Sequence, residues 1–449
     1  MENKQYFYRL SQYVLILSIF IILVGCEKDE PKDQFESLNI LEKLKTLEGV
    51  TVTEITPSNG YFKEYQLDIV QPVDHNNPTG ATFTQRAYLS HVDESLPLVF
   101  APSGMWCGPS SSQEIALLLN TNCLHVTHRY YINAKPNPIE WSYLTVKQSA
   151  DDCHRIVELF KKIYKGKWIS SGRGKSGLSA LIHRRFYPGD VDATIAYSVP
   201  FYSGVKDTRY PEYIKNIGGT ECYPKLSQVQ QYILRHRSEM LGILDTYINS
   251  GSSTFSIDRD LLLELCTLDY PSFFWQYSGY DCSSIPDTTQ KTASEIFNHF
   301  SDVVSISLYS DANLVYYAPA KYQAVSELGA PAFETIHFSD LLIRIDPYST
   351  GNPNYELLVP PGVSYTFNPN AMNDIYSWLQ SNGSKIVYIY GKNDPQSAGA
   401  IELANGLDAL LIMQEGANSN ITIADIDDPE IVYNELERWL KFYINPTIW

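Results

Sequence analysis

Residues 168–182 read WISSGRGKSGLSALI. The apolar run Trp168–Ser171 enters a glycine-rich turn and leaves it as a helical pattern. That is the outline of a nucleophile elbow, a strand-to-helix turn strained enough to hold a serine hydroxyl clear above a sheet. The elbow pattern is G-x-S-x-G. Here Gly172-Arg173-Gly174-Lys175-Ser176 puts glycine where the nucleophile belongs. The scaffold of a catalytic turn is present without its reactive atom.

The surrounding pattern is α/β. Tyr65–Val70, Thr82–Ser90, Leu96–Ala101 and Leu124–Thr127 read as strands, rich in β-branched and aromatic residues. Between them Asp151–Lys165 carries Ile156, Val157, Phe160, Ile163 and Tyr164 on one helical face. Strands alternating with helices predict a parallel sheet covered on both sides. From 203 to 345 helical patterns such as Leu226–Tyr247 and Asp260–Leu268 dominate. Strands return at Lys385–Tyr390 and Ala409–Met413, and Glu430–Tyr443 closes as an amphipathic helix with Pro429 at its first turn. The reading is an α/β-hydrolase core (46–202 and 346–449) with a mostly helical cap inserted between the two halves of the sheet.

Ahead of that core, Lys4 and Arg9 precede the apolar run Tyr13–Val24, which is short for a membrane span. It ends in Leu23-Val24-Gly25-Cys26, which resembles the lipobox of bacterial lipoproteins, followed by acidic Glu27-Lys28-Asp29-Glu30. The expectation is a signal peptide over 1–25, lipid on Cys26, a tether over 26–45, and an exported protein held at the outer membrane, facing the cell surface. A formal net charge of -17 argues against nucleic acid as a partner. Six further cysteines allow fifteen pairings, and no spacing favours one. None forms a CxxC-type cluster, so no metal is expected.

Longer strings carry a resemblance. QPVDHNNPTGATFTQRAYLSH at 71–91, HRYY at 128–131, WSYLTVKQSADDCHRI at 141–156, GKWISSGRGKSG at 166–177, HRRFYPGDVDATIAYSVP at 183–200 and YIYGKNDP at 388–395 resemble the bacterial secreted tripeptidyl-aminopeptidases. These are the thirty-seventh family of serine peptidases. The resemblance implies an α/β-hydrolase fold, peptides or protein amino termini as partners, and no cofactor.

It also implies three catalytic positions. The family elbow T-G-x-S-K-G-G, aligned through Lys175 and Gly177, puts the nucleophilic serine on Gly174, which has no atom with which to attack. The triad acid of Y-G-x-x-D-P-W falls on Asp394, with Gln396 in place of the tryptophan. The histidine of a G-G-[SN]-H segment falls on Ser419. The nine histidines end at His337, so none follows Asp394, although the triad order is serine, acid, histidine.

Other atoms were weighed for these roles. Ser176 is an alternative nucleophile, but reads more readily as a helix-capping serine. His128 and His183 read as scaffold, and His154, on the Asp151–Lys165 helix, as surface or packing. A phosphate loop fails because the glycine required five residues before Gly174 is Ile169. Oxyanion donors are expected at the Lys175 N–H and in the loop Pro102–Trp106, at Gly104. Where the family reads V-E-H-R this chain has Val126-Thr127-His128-Arg129, and cap acids such as Glu212, Glu221 and Asp281 are candidates to replace the lost carboxylate. Three functions follow: an inactive peptide-binding lipoprotein, a working peptidase using Ser176, or a structural surface lipoprotein.

Overall fold

The computed structural model describes residues 35–58, 60–109 and 113–444. Cys26 and the apolar run before it lie outside the described residues. Among the described residues no helix is long and apolar enough to cross a membrane. The first compact unit ends at Leu47. Its helix Ile40–Lys45 starts with a capping box, in which Asn39 and Glu42 each accept the other's backbone N–H.

The second unit is built on nine strands: β1 (Val50–Ile55), β2 (Lys63–Pro72), β3 (Thr82–His91), β4 (Leu98–Pro102), β5 (Asn122–Val126), β6 (Trp168–Arg173), β7 (Ala193–Tyr197), β8 (Ile386–Gly391) and β9 (Leu410–Gln414). Their order is β1-β2-β3-β5-β4-β6-β7-β8-β9. The first three strands and β5 pair antiparallel, and everything from β5 to β9 is parallel. The expected α/β-hydrolase sheet is present.

Burial follows from that topology. β4, β7 and β8 are buried at every position, because helices cover both faces of a parallel sheet. Alternate residues of β8 face opposite ways: Val387 and Ile389 join Val432, Leu436 and Trp439 of helix Glu430–Leu440. Ile386, Tyr388 and Tyr390 instead join Leu178 and Leu181 of helix Lys175–Phe186.

Between β7 and β8 the described chain is helical and has its own core, drawn from Ile214 to Leu358. A disulfide, Cys222–Cys282, staples it, while Cys107, Cys123, Cys153 and Cys266 are buried thiols. Several boundaries differ from expectation. Leu226–Tyr247 is two helices, Cys222–Arg235 and Arg237–Ser250, broken at His236. Asp260–Leu268 is the core of a longer helix, Arg259–Gln276, which runs through Pro271. Helix Asp151–Lys165 begins earlier, at Val146, where the Thr145 side chain caps the Gln148 N–H, and it ends at Phe160. The last helix stops at Leu440, where Lys441 turns left-handed, and Pro429 is its N-cap instead of a first-turn residue.

Candidate active site

The parallel strands deliver their carboxyl ends to one edge, where loops gather functional groups in this type of sheet. β6 ends at Arg173, and the chain turns through Gly174 at φ 54°, ψ -124° into helix Lys175–Phe186. That left-handed φ strains any residue with a side chain. A Cβ at Gly174 would meet nothing within 4 Å. At Gly172 and Gly177 a Cβ would lie 2.5 Å and 2.6 Å from backbone, because strand and helix approach too closely for a side chain. The turn is a fully formed elbow, with open space where a nucleophile would project.

Ser176 is not the helix cap. Gly174 is the N-cap, and Ser176 is the helix's second residue. Its Oγ accepts the Gly104 N–H at 2.9 Å, and no imidazole bonds to it among the described residues. This corrects the capping reading of Ser176. It also corrects Gly104, whose N–H is spent on Ser176 instead of facing an oxyanion. The Lys175 backbone N–H, in the first helical turn, is unaffected. The Lys175 ammonium turns inward to Gly104 O (2.9 Å) and Gln323 Oε1 (2.6 Å), and burial pulls its pKa down to about 7.

Asp394 follows β8. Its Oδ1 accepts the Gln396 N–H at 3.0 Å, while Oδ2 is buried with no hydrogen-bond partner. Burial raises its pKa to about 7, and the Gln396 N–H, the nearby Ser198 hydroxyl and the Arg173 charge offset only part of that. A triad acid has its histidine on this oxygen. Ser419, which the resemblance puts at the histidine position, is also buried, and its hydroxyl donates to Gln276 O at 2.7 Å. The Arg173 guanidinium lies over the Tyr197 ring at 5.0 Å and donates to Ser419 O. Thus 173–174, 394 and 419 meet at one edge.

The three histidines behave as expected. His128 Nδ1 bonds Arg129 O at 2.8 Å, and burial lowers its pKa to about 3. His154 and His183 share Asp190 Oδ2 at 2.7 and 2.9 Å. Thr127 is buried against Cys107. No group of three or more potential ligands is arranged for a metal ion among the described residues.

Over the edge lies a cavity of about 480 Å³, within the size range of ligand pockets. Met105 and Gln396 line it from the core, and Asp269, Gln276, Tyr277 and Lys321 from the helical segment. Glu212, Glu221 and Asp281 are exposed and do not line it. Glu212 pairs with Lys215 at 2.8 Å, and Asp281 caps Ser283 N at 2.8 Å. Sequence reasoning missed Asp269; the available signal was a pair of carboxylates, Glu264 and Asp269, inside the apolar helical run LLLELCTLDYPSFF.

Residues 30–432 match the family model for the PS-10 peptidase S37 family. The chain belongs to the S37 peptidases. This S37 chain is 32% identical over 412 residues to the prolyl tri/tetrapeptidyl aminopeptidase of Streptomyces mobaraensis, covering 89% of this chain and 85% of the relative. More distant likeness includes a proline iminopeptidase of Mycobacterium smegmatis (11% identity, 83% of this chain, 97% of the other, TM-score 0.37). VinJ is similar at 11% identity, 87% and 98% coverage and a TM-score of 0.36.

Proposed function

We propose that this S37 chain is a surface lipoprotein that binds peptides in its cleft and no longer hydrolyses them. The observation that carries the reading is the buried, unpartnered Oδ2 of Asp394 beside an elbow whose apex is Gly174. A carboxylate left without its base, next to a turn left without its nucleophile, supports loss of acyl transfer at two separate points. Binding is supported by the roomy cavity above that edge and by the peptidase family itself. The lipoprotein part rests on Leu23-Val24-Gly25-Cys26.

The test of the chemistry is fluorophosphonate labelling of the purified protein alongside its Ser176→Ala variant. No label is expected on either protein. A label on the parent that the variant lacks would establish Ser176 as a working nucleophile and end the inactive reading. Lipidation is checked separately with an alkynyl fatty acid in growing cells, where Cys26→Ser should abolish incorporation.

A further inference from the structure

Beside the cleft lies a second hollow, of about 410 Å³, that the reading above leaves unused. Helix Asp311–Gln323 gives it Leu314, Val315, Ala318 and Pro319, which share a side because positions three and four apart lie on one helix face. The loop after β5 adds Lys135, Ile139 and Trp141, and Leu357–Pro361 completes the wall. Leu314 and Leu358 also line the cavity of about 480 Å³, whereas Val315 does not.

The lining is apolar and open to solvent. Ile139 is 44% exposed, Val315 66% and Leu357 54%. Large apolar side chains gathered in the open mark a binding surface. Its base is packed: the Trp141 ring lies 5.9 Å from that of Tyr130 and 5.2 Å from that of Tyr322.

The walls have almost no backbone donors left to give. Pro319, Pro360 and Pro361 carry no N–H. The Leu314 N–H goes to Ser310 O, and those of Leu357, Leu358 and Val359 go to Pro353, Tyr355 and Glu356 carbonyls at 3.2–3.4 Å. A peptide lying here would leave its own carbonyls unpaired, which weakens binding. An alkyl chain has no such groups to satisfy.

Charge selects the other end of the ligand. Lys135 is the one charged side chain among the described residues that line this groove, and it is exposed. Among the described residues no ion pair within 4 Å engages it. Asp68, which shares a neighbouring polar pocket with Lys135, is already held by Arg86 at 2.6 Å. We propose that the groove binds a medium-chain fatty-acid anion, its alkyl chain against Trp141, Val315 and Leu357 and its carboxylate at the Lys135 ammonium. A volume near the lower end for ligand pockets suits a medium chain. This site stands independently of the peptide cleft.

The probes are octanoate, decanoate and dodecanoate, each below its micelle concentration, with decanol as the uncharged control. They are titrated calorimetrically into the full-length protein. Each buried methylene tightens binding by up to about fourfold, so dodecanoate should bind at least tenfold tighter than octanoate. Decanoate should exceed decanol by about threefold, the worth of an exposed ion pair, and Lys135→Met should erase that preference. Val315→Glu should weaken dodecanoate at least tenfold, and Leu357→Glu repeats the test from another wall should the first variant fail to fold. Equal binding of octanoate and dodecanoate, binding of none, or binding that both glutamate variants leave intact overturns the groove as the site. No preference for decanoate, or one that survives Lys135→Met, overturns the head-group assignment. Adsorption of the parent to neutral phosphatidylcholine vesicles without binding of free fatty acid would make the surface a membrane contact and overturn the proposal.

Discussion

The elbow and the acid corner differ in what holds their geometry. At the elbow the geometry belongs to the backbone. The close approach at Gly172 and Gly177 and the left-handed turn at Gly174 need no serine, and glycine at the apex relieves strain. At the corner the geometry belongs to side chains. Asp394 there is buried, unpartnered on Oδ2 and reluctant to ionise. A glycine at the apex is silent in the fold, while a buried carboxylate without a base leaves an electrostatic imprint.

The strongest way to break that comparison is to rebuild both halves. Gly174→Ser with Ser419→His restores nucleophile and base, and release of p-nitroaniline from an alanyl-alanyl-prolyl anilide should rise above the parent's background. Adding Ser176→Gly frees the Gly104 N–H to face an oxyanion. That third change should raise the rate by a further factor of roughly 10²–10³, the usual worth of one such donor. A folded triple variant with no activity would mean that the corner has closed around Arg173 and Ser419 and is no longer a vacancy.

The next effect is on stability and isolates the corner. Free aspartate ionises near 3.8, but folded Asp394 keeps its proton to about 7. The raised carboxyl favours the folded state fully only below pH 3.8, and that contribution is lost as pH climbs to about 7. At pH 8 Asp394→Asn, which cannot ionise, should therefore be more stable than the parent. The limit is about 4 kcal/mol, from about 1.4 kcal/mol for each pH unit of the shift. The gain should shrink toward zero near pH 4. Urea melts at both pH values measure it. No gain at pH 8 would mean that a cation already neutralises Asp394 and that the imprint is absent.

How much of this the sequence disclosed depends on the range of each interaction. The vacancy at Gly174 was legible because an elbow is a local pattern, and the missing base because histidines can be counted along a chain. The apolar strands β4, β6, β7 and β8 were legible for the same reason. Strand β1 was missed although VTVTEI alternates and is rich in β-branched residues; it lies at the sheet edge with no fully buried position. The two helices either side of His236 merged because apolar periodicity continues across the break. The helix around Asp260–Leu268 runs on through Pro271, where packing outweighs the lost backbone bond. Ser176 was misread because its partner, Gly104, lies 72 residues away in the chain. Asp269 and Lys321 meet the cleft only through packing of separate cap helices, which no local pattern encodes.

The smallest expected effect returns to the elbow and tests whether its backbone alone holds it. Ser176→Ala removes a single bond, from the Gly104 N–H. Losing such a bond costs about 1 kcal/mol, and alanine's better helix propensity returns up to about 0.5 kcal/mol. The net change should be below about 1 kcal/mol, because Gly174 and not Ser176 occupies the N-cap. Thermal unfolding of the variant reads it directly. A loss above about 2 kcal/mol would show that the hydroxyl braces the loop Pro102–Trp106 against the helix. The elbow would then depend on a side chain as the acid corner does, and the contrast between the two regions would fail.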